Sequence, residues 1–252
     1  MENYTECASF TLPSKGKVYN TEINPNITIR SMTTEEEMKR LSPQQDRPYR
    51  LLCEIIDDCL VEKPGISAYD MCLGDYEFLL HKLRVVTYGQ EYKMNVQCPY
   101  CYVVGTETIN LEHLAVNEYS EELDQYMELD LPYSKKHIRL RVQTPRILDD
   151  IVMRTRELKK KSPDMKGDPA LIFTIMNLID TIDGVRPDEV KLEEFVRKLP
   201  MGDTNRIIQY GEKLNSKVGL ATQFEYECGV CGISHSATFR KTGEFFGPSV
   251  DI

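Results

Sequence analysis

A chain of 252 residues, 41% hydrophobic and 28% charged, can bury one large core or two small ones. Its formal net charge of −9 weighs against a general nucleic-acid or anionic-membrane binder, since both are normally basic. No apolar run approaches a membrane span and Met1-Glu2-Asn3-Tyr4 does not open a signal peptide, so the cytosol is the expected compartment.

In chain order, Ser9 to Ile29 reads as a β-hairpin, with Phe10 and Leu12 on one arm and Ile27 and Ile29 on the other. Thr33 and Thr34, followed by Glu36 and Glu37, form an overlapping capping box that opens a helix to about Leu41. Pro48 suits the first turn of the next helix, whose apolar face is Leu51, Leu52, Ile55, Ile56 and Leu60. Pro64-Gly65 stops that helix, and a short one is expected around Ile66 to Leu73. Gly74-Asp75 then breaks and caps the start of a helix carrying Phe78, Leu79, Leu83 and Val86, which Gly89 ends. The alternating Tyr92, Met94 and Val96 lead into Cys98-Pro99-Tyr100-Cys101, and Val103 to Ile109 leaves it as a second strand.

The acidic stretch from Glu118 to Asp130 reads as a solvated linker. Beyond it Leu129 and Leu131, a turn at Pro132 to Lys135, and Ile138, Leu140 and Val142 form another hairpin. Thr144-Pro145 caps a helix to about Lys160, whose basic end is expected to stay solvated. Asp168-Pro169 opens a run that is apolar nearly all round (Leu171 to Ile179), the expected central buried helix. Leu192, Phe195, Val196 and Leu199 mark a shorter helix. Met201-Gly202-Asp203 starts one with Ile207, Ile208 and Leu214 that Gly219 ends. Phe224 and Tyr226 enter Cys228-Gly229-Val230-Cys231, and Ile233 to Phe239 leaves it.

The two passes share one order: hairpin, capped helix, apolar helix, short helix, Gly-Asp break, helix, strand, Cys-x-x-Cys. Leu12-Pro13-Ser14-Lys15 answers Leu131-Pro132-Tyr133-Ser134-Lys135, and Leu73-Gly74-Asp75 answers Met201-Gly202-Asp203. The expected fold is α+β, an internally duplicated hairpin-plus-helices unit of roughly 120 residues. The expected domains are 1–116 and 117–252, joined by a zinc-ribbon-like pair of Cys-x-x-Cys hairpins. Two unrelated segments sharing common caps and turns are the plainer alternative.

Without a secretory signal, the eight cysteines point to metal or burial before disulfides. Cys53, Cys59 and Cys72 lie in apolar, helix-like stretches and read as core; Cys7 reads as inert. Cys98, Cys101, Cys228 and Cys231 remain, two thiols at each of two hairpin tips, the set that one tetrahedral structural zinc prefers. A four-sulfur site has no open position for water, hence no hydrolytic role. Iron in the same ligands, and two separate redox pairs, are the alternatives; redox pairs usually sit at helix N-termini, whereas these sit between strands. His235 could replace a thiolate but reads as a solvent-facing strand residue. His81, His113 and His137 have no metal or triad spacing, and no phosphate loop, nucleophile elbow or paired carboxylates are visible.

Leu12-Pro13-Ser14-Lys15-Gly16-Lys17-Val18-Tyr19 followed by Ile27-Thr28-Ile29-Arg30-Ser31-Met32-Thr33 resembles the start of the T4-like phage baseplate protein family. Leu199 to Asp203, the helix after it, Cys228-Gly229-Val230-Cys231 and the tail Glu244-Phe245-Phe246-Gly247-Pro248-Ser249 resemble its C-terminal half. The resemblance implies a non-enzymatic part in building the baseplate hub of a contractile tail, as hub component or assembly factor. Its partners would be other baseplate and hub proteins, with no small-molecule substrate and no membrane insertion. It would act in the host cytoplasm during assembly and in the virion tail. The N-terminal hairpin and Phe245-Phe246 are the candidate partner contacts, and packing back on their own domain is the plainer alternative for them. The rival class is a nucleic-acid-binding zinc-ribbon protein, against which the acidity and the lack of aromatic–basic interleaving weigh.

Overall fold

The computed structural model describes residues 5–42, 47–239 and 245–247. The chain is mixed α and β, with small antiparallel sheets that each hold two or three strands. In the first half, β1 (Cys7–Thr11) pairs antiparallel with β2 (Asn26–Arg30), and Ile27 and Ile29 turn inward. Helix α1 (Thr34–Arg40) opens on the Thr33/Glu36 member of the overlapping capping boxes. The Glu36 carboxylate also takes the Arg30 guanidinium at 2.6 Å, and that partner with the Thr33 donors holds its pKa down to about 2. Helix α2 (Pro48–Cys59) starts on Pro48 as expected but has no side-chain cap of its own. Asp149, from the other half, accepts the Tyr49 and Arg50 amides at 3.1 Å and so caps it.

The short helix expected near Ile66 to Leu73 is a run of turns instead. Eight residues cannot repay helix nucleation unaided. Asp57 takes the local donors, the Ser67 hydroxyl at 2.5 Å and the Ala68 amide at 2.9 Å. Helix α3 (Leu73–Tyr88) then begins ahead of the Gly-Asp pair. Asp75 does not cap it. The buried carboxylate instead accepts the Ser14 amide at 2.9 Å, the Ser14 hydroxyl at 2.5 Å and the Tyr19 hydroxyl at 2.6 Å. From Gly89 the chain enters β3 (Glu91–Gln97), which pairs with β4 (Val104–Asn110) as the first knuckle hairpin.

After β5 (Val116–Asn117) and the single turn α4 (Asp124–Met127), the second half opens on β6 (Glu128–Asp130) and β7 (His137–Leu140). Helix α5 (Pro145–Lys161) is capped by Thr144. The apolar run after Pro169 is helical only as α6 (Ala170–Leu178), and Leu171 on it is exposed. At Ile179 it becomes β8 (Ile179–Ile182), which adds to β7; the β-branched Ile179, Thr181 and Ile182 suit an open sheet edge better than a further helical turn. The first half has a reduced counterpart, a single bridge from Leu60, just past α2, to Ile29 on β2. Helices α7 (Glu189–Lys198) and α8 (Met201–Ser216) follow, then β9 (Gly219–Leu220) and the second knuckle hairpin of β10 (Gln223–Glu227) and β11 (Ser234–Thr238). Near the start of α8, Asp203 is buried like Asp75 and accepts the Tyr133 and Ser134 amides at 3.1 and 2.7 Å. Burial opposes its charge, but those amides outweigh burial and keep its pKa below the usual range. Lys15 and Lys135, in the two turns so held, both take left-handed backbone, φ 52° and 57°.

The buried apolar residues form two cores. The second gathers the inward faces of β6, β7, α6, α7 and α8 and ends at Val218. The first holds Ile27, Ile29, Ile55, Leu79 and Tyr92, and also Phe239, Phe245 and Phe246 from the far end of the chain. A division at 116/117 therefore does not separate the cores. The halves are tied by β5–β9 pairing, by the Asp149 cap and by the Arg146–Asp70 ion pair. At the tightest point a Cβ on Gly74 would lie 2.1 Å from the Val218 carbonyl oxygen, and one on Gly219 (φ 112°) would lie 2.6 Å from Gly74 Cα.

Phe245 and Phe246, candidates for a partner contact, are 3% and 8% exposed. Phe245 packs edge-on to Tyr92 at 5.6 Å and near Phe239 at 6.1 Å. These rings pack into the first core together with Phe239. His81 lies beneath them at 2% exposure, its Nε2 2.8 Å from the Leu111 carbonyl. Burial pushes its pKa down to about 4.

Three outcomes follow. Gly74→Ala gains at most about 1 kcal/mol of helix propensity but meets backbone, so a net loss of about 2 kcal/mol is expected in chemical denaturation. Phe245→Ala should cost about 3 kcal/mol or more, read the same way. His81 is neutral in the fold, so the unfolded chain binds its proton first as pH falls through 6.5. Stability should therefore fall by up to about 3 kcal/mol between pH 6.5 and 4 and this contribution should level off below. His81→Gln, which keeps a donor for Leu111, should flatten that segment of the pH–stability curve.

Candidate metal centre

The two knuckle turns match atom for atom in their backbone bonds. Cys98 donates its amide to the Val103 carbonyl and Tyr102 donates to the Cys98 carbonyl, both at 3.0 Å. Cys228 likewise donates to Ile233 at 3.2 Å, and Gly232 donates to Cys228 at 2.8 Å. The residue after the second cysteine turns left-handed in each, Tyr102 at φ 60° and Gly232 at φ 69°. Glycine meets that demand without strain; a tyrosine there is held by the turn. The alternating strands turn one face of each hairpin onto the same core: Tyr92, Met94 and Val96 are buried in it, and Phe224 and Tyr226 pack against it.

This arrangement brings all four predicted cysteines together. Cys98 Sγ lies 3.7 Å from Cys231 Sγ, and Cys101 Sγ lies 3.7 Å from Cys228 Sγ. All four sulfurs fall within 4.8 Å of one another. The spacing is far beyond a disulfide bond of about 2.05 Å. It fits a tetrahedron around an ion 2.3 Å from each sulfur, whose edges are about 3.8 Å. Each close pair joins one cysteine from either hairpin, so an ion here crosslinks the hairpins. The set fits a four-thiolate metal site, and among the described residues no other group of metal-capable side chains is gathered in this way.

The environment favours thiolate on one side. The Cys231 and Val230 amides aim at Cys228 and hold its pKa down to about 6. The Ile233 amide does the same for Cys231, but burial and the sulfurs of Cys228, Cys98 and Cys101 outweigh it and push that thiol up to about 11. Four sulfurs so close share their protons unequally. Cys98 and Cys228 are buried, Cys101 is half-buried and Cys231 is exposed.

His235 does not face solvent. It is 8% exposed, stacked edge-on at 4.2 Å from Tyr226 and 5.9 Å from Tyr100, and stands outside the sulfur cluster. Its neighbours turn it inward because β11 uses that face for packing. Cys53, Cys59 and Cys72 are buried as expected, and burial raises each thiol, Cys72 to about 12. His113 joins no metal-capable group, and His137 pairs with Asp130 at 2.8 Å, which raises its pKa. A largely apolar cleft of about 650 Å³ lies at the seam of α3, α5 and α8, lined by Leu73, Leu148, Ile151, Ile208 and Val218. Sequence reading missed Asp75 and Asp203 as buried acceptors and Tyr102 as the match of Gly232. The spacing of Tyr102 and Gly232, each directly after Cys-x-x-Cys, was the available signal.

No described helix is long and apolar enough to cross a membrane. Comparison with curated proteins and with solved structures found no significant match. A family profile described as T4 bacteriophage base plate protein matches residues 2–247, almost the whole chain. The chain belongs to the T4 bacteriophage base plate protein family.

Proposed function

We propose that this chain is a non-enzymatic tail protein acting in assembly of the baseplate hub of a contractile phage tail, as hub component or assembly factor. The observation that carries the reading is the family match over residues 2–247. Its partners are other baseplate and hub proteins, met in the host cytoplasm during assembly and in the virion tail. Cys98, Cys101, Cys228 and Cys231 hold one structural zinc, which crosslinks the two hairpins and leaves no position for a reacting water. We read the two halves, near 1–116 and 117–252, as copies of one unit joined in a zinc-ribbon-like way. Supporting this are the paired knuckle turns, the paired lysine turns and the paired buried aspartates. Against a nucleic-acid-binding zinc ribbon stands the charge of the hairpins. They carry four glutamates, Glu91, Glu107, Glu225 and Glu227, against one cation, Lys93.

Protein purified without chelator should carry one zinc per chain by elemental analysis, with no visible absorption from iron. Binding of a structural zinc is worth on the order of 10 kcal/mol, so Cys228→Ser should release the ion and lower the melting temperature by roughly 10 °C or more. Two metals per chain, or an iron spectrum, would sink the zinc assignment. In the host, a phage lacking this chain should fail to form baseplates and be rescued by the wild-type gene. Normal baseplates without it would overturn the assembly role.

A further inference from the structure

We propose that the tip of the paired knuckles is the protein's docking face, and that its occupant is a protein segment with apolar side chains flanked by Lys or Arg. The inference deepens the baseplate reading by naming the contact surface, and it rests on that reading for the partner's identity. Sixteen large apolar side chains are exposed among the described residues, and six of them stand within three positions of Cys101 or Cys231. They are Tyr100, Tyr102, Val103, Val104, Val230 and Ile233, exposed between 41% and 73%. Because the four sulfurs lie within 4.8 Å of one another, the two tips form one patch. Exposed apolar residues standing singly are normal, whereas a gathered patch marks an interface. Part of the patch is supported from behind: Tyr100 rests edge-on against the buried His235 at 5.9 Å, and the turn fixes the backbone at Tyr102 with φ 60°. Rigid aromatic side chains lose little entropy on binding.

Charge decides what fits. The two hairpins, Glu91 to Asn110 and Gln223 to Thr238, carry Glu91, Glu107, Glu225 and Glu227 against a single cation, Lys93, which lies on the strand before the tip. Four thiolates around a divalent ion add further negative charge beneath the patch. A nucleic acid would be repelled despite the exposed tyrosines. A second copy would bring the same glutamates face to face. A partner with an apolar insert and a cationic rim meets neither obstacle.

The test uses full-length, metal-loaded protein and two probe peptides with the same Leu and Phe residues, flanked by Lys in one and by Glu in the other. Fluorescence anisotropy at low salt should show binding of the Lys peptide and none of the Glu peptide. The double variants Tyr102→Ser/Val230→Ser and Glu225→Lys/Glu227→Lys should each weaken binding at least about tenfold while keeping the metal and the melting temperature. Equal binding by the variants, binding of both peptides or of neither, binding of a DNA duplex, or self-association that the variants abolish would each overturn the proposal. In the phage lacking this chain, both double variants should fail to restore baseplates where the wild type succeeds. Rescue by wild type and variants alike would reject the docking face and leave the baseplate role standing. Failure of the wild type itself would reject that role.

Discussion

The close crossing of Gly74 and Gly219 is the contact on which the arrangement of this protein depends. Gly74 lies in the first turn of the helix that precedes the first knuckle hairpin, and Gly219 begins the short strand that precedes the second. With no Cβ on either residue, backbone meets backbone at the seam of the two halves. Their cysteines are then 127 and 133 residues apart in sequence yet 3.7 Å apart in space. A metal at the tips would secure a convergence that the crossing has already prepared. The remaining joins act in the same direction. Asp149 caps a helix of the other half, and Phe239, Phe245 and Phe246 complete a core whose other members come from the first half.

The buried carboxylates explain how each half keeps its shape. Asp75 and Asp203 sit near the starts of long helices, but neither serves its own helix. Each reaches to the turn of its hairpin and satisfies donors that the turn would otherwise bury unpaired. A charge buried without such partners would be costly, so the pairing ties hairpin to helix through polar bonds as well as apolar contact. The left-handed lysines in both turns are tolerated because the turn is held from two sides.

The chemistry at the knuckle tips is of the closed kind. Four sulfurs around one point satisfy a tetrahedral ion and leave nothing for a substrate to displace. Membership of the base plate family accords with a chain in which four cysteines from two distant hairpins meet at one point.

Local signals in the sequence were enough to determine the helix starts at Thr33, Pro48 and Thr144, the knuckle strands, the cysteine quartet and the buried Cys53, Cys59 and Cys72. Caps, turn residues and period-two alternation act over a few residues and do not need the rest of the fold. Tertiary structure alone decided the others. Ile179 to Ile182 became a strand because β7 offered an open edge, and Ile66 to Cys72 became turns because Asp57 took their donors. Asp75 left its own helix for Ser14, 61 residues away, and His235 turned inward onto Tyr226 and Tyr100. For Phe245 and Phe246 the sequence left two places open, a partner or their own domain, and the fold seats both rings in the first core. In each case the competing partner lies far along the chain, and no local pattern records where that partner will be in space.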